Sequence, residues 1–423
     1  MKISLIIHSI VLLIGSFISQ PALAEDVNDF HTLDDYLGYA MLNNAGLSAS
    51  FEQMKSAYEQ IPQAKALEDP TFTYGYFLEE VETRVGPQRN RFSIMQKFPW
   101  LGVIEARTDA ASADAQAARR RYEAARLRLF QQVKNAFYEY SYLATAVNIA
   151  EQNLELIKYF EEVARDKYRS STTANPDIIR AQIELAVLED ILKSLRQLRT
   201  PTVAQLNAAL NRPADASLPW PEKPQDKQVL LEYEKVFELL AENNPQLAAL
   251  DYKAQAAQAN LELAKKRFYP NFGVGLDWIQ TDDASMPNVR DSGKDAVILM
   301  FSLNIPLWQD SYRAGQRQAQ AELQKTRQQK IETENNLIAQ AAQTIYEIQD
   351  AQRKIDLYGG VLIVKSRQLV ETSESAYKSG TIDFFSLLDA QRMLLKYQLD
   401  YERALTDKQQ KIAELEMLVG QDF

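Results

Sequence analysis

The chain has 423 residues, a formal net charge of −10 and no cysteine. Without cysteine it can form no disulfide, no thiolate metal site and no lipid anchor on an N-terminal cysteine. Net acidity argues against nucleic-acid binding, because phosphate contacts need clustered Lys and Arg.

The beginning of the chain predicts a cleavable secretory signal at residues 1–24. Lys2 precedes an apolar run from Ile3 to Ile18, and Ala22-Leu23-Ala24 closes the segment. This order of charged, apolar and small residues is typical of a signal peptide. An N-terminal membrane anchor is the alternative, although the run is short for a membrane span. We expect an exported chain in which His31 is the one histidine, with no metal site built on His or Cys and no cofactor.

The rest of the chain contains an internal repeat. Asn43-Asn44 recurs 200 residues later as Asn243-Asn244, and Tyr168 recurs 209 residues later as Tyr377. Such steady spacing over a long stretch indicates duplication, whereas chance similarity between Ala- and Gln-rich helices is the alternative. The sequence therefore predicts two copies of one structural unit.

The repeats are predicted at residues 25–212 and 229–423. Between them, residues 213–228 hold four prolines and read as an extended linker. Each repeat has the same predicted order of helix, β-hairpin, very long helix and final helix. The first helix is predicted to be continuous, over residues 33–67 in repeat one and 233–268 in repeat two.

The hairpins are predicted at about residues 71–98 and 271–305, because apolar and polar residues alternate there as in half-exposed strands. Polar loops are expected at residues 81–90 and 281–295. Four prolines flank the hairpins and mark the corners between helix and strand: Pro70, Pro99, Pro270 and Pro306. The aromatic face of Phe72, Tyr74 and Tyr76 is the one we expect to point outward.

The long helices are the clearest predicted elements. Residues 107–168 contain neither Gly nor Pro, and apolar residues recur there at steps of three and four. A helix of that length spans about 93 Å, which is too long for a compact globular domain. The counterpart at residues 310–377 is interrupted by Gly359-Gly360, where we expect a kink.

The number of strands limits how this chain could enter a membrane. After the signal, no apolar run approaches the roughly 20 residues of a membrane-spanning helix, so a membrane-embedded chain would have to use strands. Four strands cannot close a barrel, because transmembrane barrels need about eight or more. Three chains would supply twelve. The alternative is two hairpins packed on a soluble helical bundle.

Together these features resemble the outer-membrane efflux, or TolC-type, protein family over essentially the whole mature chain. Besides the duplicated architecture, the resemblance is carried by Tyr377-Lys378-Ser379-Gly380-Thr381, followed by Leu387-Leu388-Asp389-Ala390-Gln391. It implies a mainly α fold with a small β part. Three protomers would form an α-helical barrel across the periplasm, continued by a shared twelve-stranded transmembrane β-barrel in outer-membrane lipid.

The resemblance also implies a function and partners. The trimer would be the exit duct of a tripartite efflux pump, and no enzyme. A periplasmic adaptor protein and an inner-membrane transporter, of the RND type, would be its partners. An exit duct for type I protein secretion is the alternative within this class. A periplasmic coiled-coil adaptor is less favoured, because adaptors have one helical hairpin flanked by β-rich domains.

A gate at the periplasmic tip is a further implication. Asp177 and Asp389 match acidic positions of the family, and Ser386 stands where some members have another acidic residue. Carboxylates from three chains around one axis would repel one another and could bind a cation. The alternatives are a helix N-terminal role for Asp177 and an ordinary polar-face role for Asp389.

The turn that adaptor tips contact would include Tyr168, Tyr377 and Gly380. Repeat one departs from the family pattern, because Ser171 stands where repeat two has Gly380. A simple helix stop is the alternative for this turn. The stretch from Gln96 to Gly102 resembles the heavy-metal branch of the family. That resemblance implies metal cations as cargo, with small toxic molecules as the other possibility.

Overall fold

A computed structural model describes residues 30–169, 175–227, 229 and 232–422. The predicted signal peptide lies outside the described residues, and so does Ser171. Repeat one consists of α1 (Leu33–Asn43), α2 (Ala45–Tyr58), α3 (Gln60–Lys65), β1 (Thr71–Thr83), β2 (Gly86–Phe98), α4 (Val103–Arg169) and α5 (Asn175–Ala209). Repeat two consists of α6 (Tyr233–Asn243), α7 (Pro245–Lys266), β3 (Phe272–Thr281), β4 (Ala296–Leu303), α8 (Gln309–Leu357), α9 (Ile363–Ser379) and α10 (Phe384–Val419).

The chain is mainly helical with one small sheet, and the predicted fold class and tandem repeat are confirmed. The four strands form an antiparallel sheet in the order β1-β2-β3-β4. The two hairpins therefore join edge to edge through β2 and β3, with Ser93 opposite Asp277. Within the described residues, no helix is both long and apolar enough to cross a membrane.

The prediction of one continuous first helix in each repeat is wrong. Asn44 has extended backbone angles, and its side chain accepts a hydrogen bond from the Leu47 amide at 2.8 Å. That side chain also donates to the Ala209 carbonyl at 2.9 Å. In repeat two, the Asn244 side chain accepts a hydrogen bond from the Leu247 amide at 3.1 Å and donates to the Leu418 carbonyl at 2.8 Å. Each Asn thus caps a new helix and ties it to the end of the repeat's last helix.

The prediction of a long first hairpin loop at residues 81–90 is also wrong. β1 runs to Thr83 and β2 begins at Gly86, so the connection is a tight turn. Gly86 permits this turn because its φ is +132°, a conformation that side chains with a Cβ rarely adopt. The second loop, between β3 and β4, is long as predicted and folds back on the first. Its Gly293 amide donates to the Val85 carbonyl at 2.8 Å.

The long helix of repeat one is unbroken, whereas that of repeat two is interrupted. α4 has 67 residues and spans about 100 Å. In repeat two, the turn Tyr358–Leu362 is π-helical and separates α8 from α9. The expected interruption at Gly359-Gly360 is therefore present. The Gly359 backbone lies so close to the Tyr401 ring that an added Cβ would be 2.8 Å from its Cε2.

The hydrophobic core is divided along the length of the helices. Toward the sheet, each repeat has a core of its own, built around Leu206 in repeat one and Leu415 in repeat two. Toward the opposite end, which we call the tip, both repeats share one core formed by α4, α5, α9 and α10. The tip is where α4 leads to α5 and α9 leads to α10.

The proline-rich linker crosses the helices on its way between the repeats, and we call residues 213–227 the strap. Trp220 stacks on Tyr140 of α4 with ring centroids 4.9 Å apart, and the Arg199 guanidinium of α5 lies 4.4 Å from the Trp220 ring. Three ion pairs fasten the strap to α10: Lys223 with Glu402, Asp226 with Lys408, and Lys227 with Glu416. The strap therefore joins both repeats midway along the helices.

Candidate functional site

At the tip, Tyr377 joins helices from both repeats. Its side chain is 2% exposed and packs against Phe384, with ring centroids 5.1 Å apart. The Lys167 Nζ of α4 lies 4.6 Å from the ring centroid and bonds the Tyr377 carbonyl. The Tyr377 hydroxyl donates to Asp177 Oδ2 of α5 at 3.3 Å. One tyrosine thus connects α4, α5, α9 and α10.

Asp177 contacts side chains of α5 and α9. It stands in the first turn of α5 and is half-buried. Besides the Tyr377 hydroxyl, the Arg180 guanidinium lies 3.7 Å from its other carboxylate oxygen. A carboxylate held in this way fixes α5 against α9.

Asp389 and Ser386 lie on α10, but they do different things. Asp389 is half-buried, and its charge adds to the Glu184 hydrogen bond in raising the pKa of Arg392. Ser386 is exposed, and its amide and hydroxyl donate to Asp383 Oδ1 at 2.9 and 2.7 Å. These bonds make Asp383 the N-cap of α10 and hold the pKa of its carboxyl below the ordinary value.

Sequence reasoning missed Asp383. Its signal was available, because an aspartate just before an apolar helical pattern is typical of a helix N-cap. The structure therefore adds Asp383 to the two carboxylates predicted at the tip, Asp177 and Asp389.

The turn at Gly380 has the geometry that the sequence implies. Gly380 has φ +80° and ends α9 in the left-handed conformation. The Thr381 amide then bonds the Ala376 carbonyl at 2.9 Å, which completes a common helix-ending motif. In repeat one, Tyr168 is 48% exposed at the end of α4. The two equivalent tyrosines therefore have opposite environments.

Further polar links near the tip connect the repeats. Lys378 Nζ bonds Glu374 and the Tyr159 hydroxyl, each at 2.6 Å, and these bonds raise the pKa of Lys378. Two more links lie deeper: Glu184 with Arg392, and Asn153 with Gln391 at 2.8 Å. Sequence reasoning did not find these pairs, because their members are hundreds of residues apart.

The four singled-out prolines lie at the ends of the sheet. Pro70 directly precedes β1 and Pro99 directly follows β2. Pro270 lies between α7 and β3, and Pro306 lies between β4 and α8. All four therefore stand where the chain passes between helix and strand.

One face of the sheet is apolar and exposed across all four strands. Phe72, Ile94, Leu276 and Leu299 form one cross-strand row, and the next row holds the aromatic residues Tyr74, Phe92 and Trp278. The exposed large residues of this face are Phe72, Tyr74, Tyr76, Ile94, Phe272, Leu276, Trp278, Val297, Leu299, Phe301 and Leu303. So large a contiguous apolar surface marks a protein or membrane contact.

The opposite face of the sheet has more small and polar residues. Thr73 and Ser93 lie on it, as does an ion pair between Arg91 and Asp277. Asp277 is 1% exposed beneath the Arg91 side chain. Among the residues that the structure describes, there is no cluster of three or more His, Cys, Asp or Glu able to hold a metal ion.

Two stretches of the chain match a known protein family. Residues 37–212 and 236–421 match the family described as outer membrane efflux protein, so the family pattern covers most of each repeat. Among curated relatives, the pyoverdine export outer membrane protein OpmQ of Pseudomonas putida is 23% identical over 312 residues. The alignment covers 71% of this chain and 63% of that protein, so the chain spans less than two thirds of the length of that relative.

Solved structures share the fold. The outer membrane protein VceC of Vibrio cholerae superposes with a TM-score of 0.75 at 18% identity, covering 92% of this chain and 96% of that one. CusC, for which transmembrane channel formation is described, gives a TM-score of 0.78 at 14% identity, with 92% of each chain covered. At these identities the likeness concerns the fold.

Proposed function

The chain belongs to the outer membrane efflux protein family, and from that premise we propose that it forms the exit duct of a tripartite efflux pump. Three chains assemble into one tube, with the sheets in the outer membrane and the helices in the periplasm. A periplasmic adaptor protein and an inner-membrane transporter, of the RND type, engage the tip. The duct conducts cargo passively and catalyses no reaction.

The observation that carries this proposal is the exposed apolar face of the sheet. Exposure of such a surface to water costs free energy, whereas exposure to lipid does not. The sheet of one chain has two unpaired edges, at β1 and β4, and unpaired backbone groups are not tolerated in lipid. Pairing β4 of one chain with β1 of the next removes every edge, and three chains close a ring of twelve strands.

The polar bonds of Tyr377 support a closed resting tip. In this proposal the Tyr377–Asp177 bond holds α9 and α10 against α4 and α5, and the Asp177 and Asp389 carboxylates of three chains surround the exit. Adaptor binding at the Gly380 turn and at exposed Tyr168 would release the helices. Ser386 contributes through the Asp383 cap.

Two likenesses bear on the cargo. OpmQ is described as a pyoverdine exporter, and the segment from Gln96 to Gly102 resembles the heavy-metal branch. We propose small toxic molecules or metal ions as cargo. Type I protein secretion is the second candidate, because a duct of this shape would serve either pump. The kind of transporter encoded by neighbouring genes distinguishes an efflux pump from a type I secretion system.

The first test of the duct is the location and mass of the native complex. Membranes of cells that produce the chain are fractionated, and the detergent-extracted protein is sized by light scattering. We expect a trimer in the outer membrane. A soluble periplasmic monomer would rule out the shared barrel and, with it, the duct.

Matched charges on the two faces of β1 test which face meets lipid. We expect Tyr74→Asp to impair trimer assembly, because it puts a carboxylate in lipid at a cost of up to roughly 2 kcal/mol per chain. Thr73→Asp on the neighbouring position should assemble nearly as well as the parent chain. Equal assembly of the two variants would contradict the assignment.

The resting gate is tested by conductance in planar bilayers. Asp177→Asn and Tyr377→Phe each weaken the bond between α5 and α9, so both should raise single-channel conductance. Asp166→Asn is the matched control, because Asp166 is an exposed carboxylate near the tip that pairs only with Arg169 on its own helix in the described structure. Unchanged conductance in both test variants would remove this bond from the gate.

A further inference from the structure

Two methionines flank a glycine on the polar face of the sheet. The register places Met95 of β2 opposite Gly275 of β3, and Gly275 opposite Met300 of β4. Neighbouring strands are about 4.8 Å apart, so the Met95 and Met300 backbones are roughly 10 Å apart. No side chain stands between them, because the residue in the middle is glycine.

The Met95 side chain occupies the space that Gly275 leaves open. A Cβ at Gly275 would lie 2.8 Å from Met95 Cε and 3.1 Å from its sulfur. The same sulfur is 3.9 Å from the Ser302 hydroxyl, which is on β4 two residues from Met300. The Met95 thioether therefore reaches across β3 to the strand that carries Met300.

Methionine is also a common filler of irregular gaps, and Met95 covers two glycines of β3, Gly273 and Gly275. Packing alone, however, gives no reason for a second thioether in the same row. Met95 and Met300 are the only methionines in the four strands, and both fall in this one row, half-buried on the same face.

We propose that Met95 and Met300 together bind a soft monovalent metal ion, Cu(I) or Ag(I), on the wall of the channel. Thioether sulfur is a soft ligand and selects such ions over Zn²⁺ or Mg²⁺. The inference rests on the proposed duct, because the face opposite the lipid contact lines the lumen there. Three chains then present three equal pairs around the pore.

The expected site is weak, and weakness suits a duct. Two neutral thioethers supply no charge to hold a cation, so a bound ion exchanges readily. Conduction requires sites that an ion can enter and also leave. The pair would therefore favour passage of soft metal ions along the wall without trapping them.

The test is a titration of the purified detergent-solubilised trimer with silver nitrate in chloride-free buffer, followed by calorimetry. We expect one Ag⁺ site per chain that is lost, or weakened roughly tenfold or more, in Met95→Leu and in Met300→Leu, since even the loss of a supporting contact weakens metal sites on that scale. Leucine keeps the apolar volume. Met41→Leu and Met286→Leu, which replace exposed methionines elsewhere, should keep the site.

Two results would overturn the proposal: an intact chain without this Ag⁺ site, or a Met95→Leu/Met300→Leu double variant that binds Ag⁺ as the intact chain does. Zn²⁺ binding lost in the same double variant would also contradict it, because the pair would then not discriminate soft ions. Bilayer conductance of potassium salts by the double variant reports on the duct separately. A conducting trimer without the Ag⁺ site leaves the duct intact.

Discussion

The two repeats share one helical frame but differ in the long helix that leads to the tip and in the tyrosine at its end. In repeat one, α4 runs for 67 residues without a break, and Tyr168 near its end is exposed. In repeat two the equivalent helix contains a π-helical turn, and the equivalent Tyr377 is buried. The Asn caps at the other end of the repeats are, by contrast, almost the same. The two repeats therefore still share the Asn cap that ties an early helix to the last helix, but they differ at the tip.

This difference assigns separate roles to the repeats. A helix without interruption is a stiff support, while a π-helical turn is a common site of helix distortion and function. The side chain that fastens the tip, Tyr377, belongs to the interrupted helix. Under the proposed function, repeat one is the support and repeat two supplies the moving part of the gate.

The largest expected effect comes from the two tyrosines. Tyr377→Ala empties a buried site between Phe384 and Lys167 and should cost about 3 kcal/mol of stability at the tip. Tyr168→Ala at the equivalent exposed position should change stability by less than about 0.5 kcal/mol. Hydrogen exchange of α9 and α10 measures both. Similar exchange in the two variants would erase the distinction between the tips.

The second largest loss of stability is expected at the Asn caps, which test the feature that the two repeats have in common. Asn244→Ala removes a buried cap with three hydrogen bonds and should cost about 2 kcal/mol. Asn44→Ala should cost about 1 kcal/mol, because Asn44 is less buried. Thermal unfolding of the purified protein gives both values. Asn→Asp at each position is the control that keeps the cap and loses the amide donor.

A smaller effect is expected at the π-helical turn. Gly359→Ala presses a methyl group onto Tyr401 and should destabilise the chain by about 1 kcal/mol. Gly360→Ala meets open space, so it should be neutral or stabilise the helix by up to about 1 kcal/mol. Thermal unfolding distinguishes the neighbours. The prediction would be contradicted if Tyr401→Ala failed to reduce the cost of Gly359→Ala.

The smallest expected effect is the pH dependence of the α10 cap. The side-chain hydrogen bond from Ser386 lowers the pKa of Asp383 from its ordinary value of 3.8. The cap therefore contributes fully above pH 3.8 and is lost as the pH falls through the lower folded value. Hydrogen exchange of the first turn of α10, corrected for intrinsic rates, follows this loss. Ser386→Ala should move the loss to higher pH, and an unchanged profile would count against the cap.

Much of the frame was predictable from the sequence because its causes are local. The absence of Gly and Pro over residues 107–168 is enough to predict a helix of that length. Alternation of apolar and polar residues predicts the strands, whereas the expectation that the face of Phe72 and Tyr74 points outward stays a prediction. The expectation of a three-chain assembly came with the resemblance to a family, because the periodicity of apolar residues does not specify the number of chains.

The missed features divide into two kinds. The helix start after Asn244 was readable, since an Asn cap followed by Pro245 is a known helix start, and Asn44 stands at the equivalent position of repeat one. The burial of Tyr377 against the exposure of Tyr168 was not readable, because it depends on partners such as Lys167 that are distant in sequence. Pairs such as Glu184 with Arg392 belong to the same kind.

The strap has a mechanical consequence. It fastens α10 at Glu402, next to Tyr401, against which the π-helical turn packs. Between that turn and Gly380, α9 has 17 residues, so the end of α9 lies about 25 Å from the turn. Over that distance, a rotation of α9 by roughly 10° about the π-helical turn would move the end of α9 about 4 Å sideways. Under the proposed function, a rotation of this size in all three chains would change the width of the exit.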